Sequence, residues 1–207
     1  MNTEKDPGSP EIWEKRWAKA GGRKESATVL GRLMFGAKKR ALKKILSRIG
    51  PGTMIEIGCG LGYTGEAFRR AGFDYLGIDA SPTAVAVCRK RGLNVELRNL
   101  DEVAGVFDLV ASDGLLEHLL NFEPPAVQMM SLSRRYVLLI QPNHDSLTGK
   151  TLAFLAEILR SRTNVFEYNY RIGDFIRVFD RHGFGLKKNV GVFLNVFRLL
   201  LFEKESA

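Results

Sequence analysis

The chain has 207 residues, enough for one domain with a substantial core and short for two. Its composition, 45% hydrophobic and 26% charged, is that of a soluble globular protein, and no apolar run reaches the ~20 residues needed to span a bilayer. The formal charge of +8 lies wholly in residues 1–50, which hold 13 Lys/Arg against 5 Asp/Glu, and this argues against a basic nucleic-acid groove across the remainder.

Residues 1–10, with Pro7, Gly8, Ser9 and Pro10, read as a loose tail lacking the basic-then-apolar pattern of a secretory signal. Together with only two cysteines, Cys59 and Cys88, this makes a cytoplasmic protein the expectation. Glu11–Ala20 predicts a short helix with Trp13 and Trp17 on one face, broken by Gly21-Gly22. Ala37–Ile49 predicts a second helix. Leu42, Ile45, Leu46 and Ile49 form its apolar stripe, with Lys38, Lys39, Arg40, Lys43, Lys44 and Arg48 solvated. Residues 1–50 thus read as a basic helical arm before a domain over 51–207. Its second helix is expected to pack on the fold, and the alternative is a peripheral contact with a membrane surface.

From Met54 onward short apolar runs alternate with helical segments. Strands are expected at Met54–Ile57, Tyr75–Ile78, Val95–Leu97, Phe107–Ala111 and Tyr136–Ile140. Helices are expected after Gly62, over Ser81–Arg91, near Leu115–Leu120 and over Pro124–Ser131. This rhythm predicts a doubly wound α/β sheet with parallel strands and right-handed crossovers. A helix near Gly173–His182 then precedes two strand-like runs, Phe184–Val190 and Phe193–Phe202, too close together for a crossover helix. They either pair antiparallel as neighbours or run separately into the sheet.

The turn after the first strand reads Glu56-Ile-Gly58-Cys-Gly60-Leu-Gly62-Tyr-Thr-Gly65. Glycines there let the backbone turn sharply and approach a ligand, and the amides at the following helix start favour an electronegative group. Gly60 to Gly65 also spells GxGxxG, but Gly58 already occupies the place directly after the strand. Glu56, where dinucleotide sites carry an apolar residue, suits a ligand bearing a positive amine. Asp79 ends the second strand, where a carboxylate can accept both hydroxyls of a ribose. An adenosine ligand follows.

These residues, with Phe107-Asp-Leu-Val-Ala-Ser112 and Gly114-Leu-Leu-Glu117-His118-Leu, resemble the class I S-adenosylmethionine-dependent methyltransferases, in particular the small-molecule branch that includes quinone O-methyltransferases. The resemblance implies a Rossmann-like, mostly parallel seven-stranded sheet with an antiparallel C-terminal strand, and S-adenosyl-L-methionine as cofactor. It implies that Gly58, Gly60 and Gly62 cradle the methionine portion, that Glu56 orders its amine side and that Asp79 holds the ribose. Asn99 and Leu100 would edge the adenine, and Ser112 would face the amine. His118 is the candidate base, needed only where the acceptor is a hydroxyl. Some similar quinone methyltransferases hold a divalent ion on Glu-x-x-Glu-His; Gly114 replaces the first acid here, so no metal is expected.

The acceptor is less legible. The fourth strand ends in Ser112-Asp113-Gly114, without the Pro-Pro-aromatic turn of enzymes acting on base or glutamine nitrogens, so nucleic acid is not the expected partner. An insertion, His144–Tyr170, contains the apolar run Thr151–Arg160 and then Tyr168 and Tyr170. It is placed to form a lid over the strand ends, and with Trp17 it suggests a small, partly apolar acceptor, while the resemblance to quinone O-methyltransferases implies O-methylation as the favoured reaction. An RNA or protein methyltransferase using the basic arm, and a non-catalytic adenosine-ligand module, are the alternatives. Nothing in the sequence points to an oligomeric state.

Overall fold

The computed structural model describes residues 9–20, 29–146 and 167–205. Seven strands form one sheet: β1 (Thr53–Ile57), β2 (Asp74–Asp79), β3 (Val95–Leu97), β4 (Phe107–Asp113), β5 (Ser133–Pro142), β6 (Phe184–Val192) and β7 (Phe197–Lys204). Their order is β3-β2-β1-β4-β5-β7-β6. Strands β1 to β5 pair in parallel, and β7 runs antiparallel to both β5 and β6. This is the doubly wound sheet that the strand–helix rhythm implies, closed by the antiparallel strand.

Alternation along the strands sends side chains to two cores. Met54, Leu109 and Ala111 face a layer holding Leu42, Ile45 and Leu46 of α2 (Val29–Ile49), Phe68 of α3 (Gly65–Arg70) and Val85 of α4 (Pro82–Lys90). Ile55, Ile57 and Val110 face the opposite layer, built from α5 (Glu123–Ser131) and α6 (Ile172–Arg181). Ile172, Phe175, Val178 and Phe179 are the buried stripe of α6, and Phe179 stacks on Phe202 of β7 at 4.2 Å. The first helix, α1 (Pro10–Ala20), sits against α4 near the strand ends.

Helix α4 starts where Ser81-Pro82 places it. Ser81 is extended and its Oγ accepts from the Ala84 amide at 3.1 Å, while Pro82 occupies a first-turn position that needs no donor. Ser81→Ala should cost about 1 kcal/mol. That corresponds to a fall of about 2–4 °C in Tm, readable by calorimetry.

Three expectations change. Residues Phe193, Leu194 and Asn195 all adopt positive φ (48°, 53° and 66°), so a tight turn occupies the start of the predicted last strand and β7 begins at Phe197. Lys38, read as solvated, is only 8% exposed. It lies four residues before Leu42 on the same helix face, so it follows the stripe toward the sheet. Near Leu115–Leu120 the chain makes only a short 3-10 turn, Leu116–His118. The predicted apolar helix Thr151–Arg160 lies outside the described residues.

Candidate functional site

The site forms where β1, β2 and β4 end, the usual ligand position in this architecture. Gly58, Gly60 and Gly62 take φ of 67°, 51° and 70°, a left-handed region that side chains disfavour. Their surroundings separate their roles. A Cβ on Gly60 would lie 3.1 Å from the Trp17 ring, and one on Gly58 would lie 3.2 Å from Leu115. Both glycines line a cavity of about 490 Å³. Gly62 does not line it. A Cβ there would stand 2.5 Å from Leu93 and 2.8 Å from Cys88 Sγ, so its smallness serves the packing of the loop.

Asp79 organises the loop. Its Oδ2 accepts from the Gly60 amide at 2.7 Å and its Oδ1 from the Ser81 amide at 2.9 Å. An ionised carboxylate has about four acceptor positions, so both oxygens keep capacity toward the cavity they line. Burial pushes this carboxyl above its ordinary range; its two amide bonds oppose that, and the nearby Glu14 charge adds to it. Glu14, on α1, accepts from the Ser81 and Thr83 hydroxyls, which hold it below the ordinary range. These bonds fasten α1 beside Asp79 with Trp13 and Trp17 on the cavity.

Glu56 is 1% exposed. Its Oε1 accepts from the Thr64 hydroxyl and its Oε2 from the Tyr75 hydroxyl at 2.7 Å. Burial raises it to about 7 even though both bonds lower it; Asp113 and Asp79 add to the rise. Such a carboxyl sits close to a balance that a bound cation would tip.

The cavity also collects Trp17, Asn99, Leu100 and His118. Asn99 begins a 3-10 turn, with its amide bonded to Glu102 Oε2 at 2.8 Å. Four expected site residues stand elsewhere. Ser112 alternates with Asp113 along β4, so it turns with Val110 to the α5/α6 face and is only 2% exposed, while Asp113 lines the cavity. Gly62 packs the loop, as above. Tyr168 does not line the cavity; its amide donates to the Glu117 carbonyl at 2.8 Å. Tyr170 packs on Phe122 and Phe175, its hydroxyl donating to the Leu120 carbonyl at 2.6 Å, and it borders a separate surface hollow.

Sequence reasoning missed Lys38, Asp113 and Glu167 as cavity residues. Lys38 Nζ lies 2.8 Å from Asp113 Oδ1 and 4.1 Å from the centre of the Phe197 ring. Met34, Phe35 and Tyr63 line the same part of the wall, giving it apolar area around one ion pair. His118 is 4% exposed, with its ring edge-on to Trp13 at 4.8 Å and Nε2 3.8 Å from Glu117 Oε1. Burial pushes Glu117 well above the ordinary carboxylate range. Glu167 comes beside them, and ligand-type atoms of Glu117, His118 and Glu167 lie within 4.8 Å of one another.

Comparison with known proteins agrees with this geometry. Residues 55–136 match a family described as a methyltransferase domain. The ubiquinone biosynthesis O-methyltransferase of Methylococcus capsulatus is 40% identical over 75 residues, which are 31% of this chain and 32% of that protein. The match therefore spans about a third of the curated relative. The fold is shared with magnesium protoporphyrin IX methyltransferase from Synechocystis PCC 6803 (TM-score 0.76, 14% identity, 95% of this chain and 98% of that one). It is shared also with the N-methyltransferase NodS from Bradyrhizobium japonicum (TM-score 0.70, 13% identity, 98% and 100%). Residues 55–136 are thus similar to a methyltransferase domain, and the described chain shares the fold of these solved methyltransferases.

Proposed function

We propose that this protein transfers the methyl group of S-adenosyl-L-methionine to a small, partly apolar acceptor, with oxygen as the favoured acceptor atom. The observation that carries the reading is the Asp79 carboxylate bonded to the Gly60 amide, which puts an acid and a left-handed glycine turn on one cavity wall. The cavity suits this cofactor by its donor set. Asp79 offers acceptors to ribose hydroxyls, Glu56 a carboxyl that a positive amine favours ionised, and Asn99 and Leu100 a polar and an apolar edge for adenine. Structures of the two fold relatives hold S-adenosylhomocysteine, the demethylated form of this cofactor.

The sulfonium supplies an already activated methyl group. The chain's task is then to align the acceptor and keep water out. Trp13 and Trp17 close one side of the cavity, and Phe35, Tyr63 and Phe197 offer apolar contact to an acceptor. His118 is the group assigned to take a proton from an acceptor hydroxyl. The partial match to a ubiquinone biosynthesis O-methyltransferase supports oxygen as the acceptor atom. The neutral balance of residues 51–207 supports a small molecule over nucleic acid. Among the described residues no helix is long and apolar enough to cross a membrane. We place the activity in the cytoplasm, where two buried free cysteines remain reduced.

Calorimetric titration of S-adenosylmethionine into the full chain tests the core of this reading. One saturable site per chain is expected, followed by transfer of isotopically labelled methyl to members of a hydroxylated aromatic panel. Absence of binding would refute the cofactor assignment. Binding with no transfer to any acceptor would favour an adenosine-ligand module over an enzyme.

A further inference from the structure

Helix α2 has two faces, and the fold uses only one. Leu42, Ile45 and Leu46 enter the core on one side of the sheet, with Ala37, Ala41 and Ile49 packed beside them. The opposite face meets solvent. Val29, Leu30 and Leu33 are 64%, 51% and 57% exposed, and none of them joins either core. Among the described residues the other large exposed hydrophobics, Leu97, Val106, Leu120 and Leu194, are scattered singly along the chain. Single apolar residues on a surface are ordinary, whereas a cluster marks a contact.

The rest of that face is basic. The 21 residues of α2 include no Asp or Glu, while Arg32, Lys39, Arg40, Lys43, Lys44 and Arg48 are all exposed. The helical period sets Leu33, Arg40 and Lys44 along one line, on the side away from Leu42. Among the described residues none of these six cations forms an ion pair. Glu66, near enough to Lys39 to feel its charge, is bonded to Arg91 at 2.6 Å instead. We propose that this outer face of α2 docks on an anionic membrane surface. Its first turn would insert Val29, Leu30 and Leu33 among the acyl chains while the cations meet head-group phosphates.

Charge complementarity and the apolar turn together name the partner. A basic face attracts any polyanion, but Val29, Leu30 and Leu33 gain nothing from a nucleic-acid backbone. They gain by leaving water for acyl chains. Binding of a helix lying in the membrane plane scales with both terms, its buried apolar area and its attraction to anionic lipid. The inner stripe cannot serve, because the sheet already covers it. Packing on the fold and contact with a membrane are therefore compatible roles for the two faces of one helix. Met34 and Phe35, next in the chain after Leu33, line the cavity. On the methyl-transfer reading, and only on it, docking would hold that cavity wall beside the lipid, where a partly apolar acceptor concentrates.

The test is co-sedimentation of the full chain with vesicles of equimolar phosphatidylcholine and phosphatidylglycerol, against vesicles of phosphatidylcholine alone. Binding to the anionic vesicles only is expected, weakening as salt is raised. Neutralising one cation near a charged bilayer costs about fivefold, so Lys39→Gln, Lys43→Gln and Lys44→Gln combined should weaken binding about 100-fold. Leu30→Gln with Leu33→Gln keeps every charge and should weaken it about tenfold. All five positions are exposed, and unchanged melting of both variants checks the fold. Equal binding to both kinds of vesicle, or no binding to either, overturns the proposal. So does a leucine variant that binds as wild type does, since the attraction would then be charge alone. Binding of a single-stranded RNA without binding of vesicles would assign the face to nucleic acid and also overturn it. Titration of S-adenosylmethionine without vesicles keeps the two readings separate. Cofactor binding without vesicle binding sinks the docking face alone, and vesicle binding without cofactor binding sinks the methyl-transfer reading alone.

Discussion

Asp79→Ala should weaken S-adenosylmethionine binding about 100-fold or more, measured by calorimetric titration against wild type. Two losses add. In the proposed reading the carboxylate accepts hydrogen bonds from both ribose hydroxyls, and a bond to a charged group is worth about 1.5–3 kcal/mol. It also holds the Gly60 amide at 2.7 Å, so its removal frees the turn proposed to cradle the cofactor. About 2.7 kcal/mol is a factor of 100, and one charged bond nearly reaches it alone. Asp79→Asn separates the two contributions. Its amide oxygen can keep the Gly60 bond, but its NH₂ group meets the Ser81 amide donor-to-donor, so an intermediate loss is expected. Cooperative melting of both variants checks that the fold survives. Undiminished binding by Asp79→Ala would remove the central support for an adenosine cofactor.

Much of the frame that positions Asp79 is written locally. Apolar runs at β1, β2 and β4 each end in a polar or glycine residue, and Ser81-Pro82 marks a helix start with its cap in place. Such signals depend on near neighbours and are readable from the chain. The missed features depend on contacts across the fold. Gly62 looks like its companions in the loop, yet only the positions of Leu93 and Cys88 show that it serves packing. Glu167 meets Glu117 because of a backbone bond between distant segments, which no periodicity announces.

Two errors were avoidable in principle. Lys38, Leu42 and Ile45 share one helical face, so helical spacing alone places the lysine beside the sheet. Strand alternation likewise sends Ser112 and Asp113 to opposite faces, which makes Asp113 the residue on the Glu56 side. The turn at Phe193–Asn195 was harder. Three successive left-handed residues without glycine contradict local preference and are imposed by the β6–β7 pairing around them.

Glu56 should make the stability of the ligand-free protein depend on pH. Its folded carboxyl lies at about 7 against an ordinary 4.5, because burial outweighs the bonds from Thr64 and Tyr75. The folded state therefore keeps a proton between those values that the unfolded chain has released. Stability from this group is fully present below 4.5 and is lost as pH rises through about 7. A shift of this size corresponds to roughly 3 kcal/mol. Glu56→Gln, which cannot ionise, should gain on wild type by up to that amount between pH 5 and pH 8 in urea unfolding. Parallel curves for the two proteins would show that the carboxyl is not displaced. The same balance makes a prediction for the cofactor. A positive amine beside Glu56 favours its ionised form, so S-adenosylmethionine binding near pH 6.5 should release a proton. Calorimetry in buffers of different ionisation enthalpy reads that proton directly, and it should disappear in Glu56→Gln. Tight binding would then come partly from converting a destabilised buried carboxyl into a paired one. Proton release that persists in Glu56→Gln would assign it to another group and leave Glu56 a structural partner of Thr64 and Tyr75.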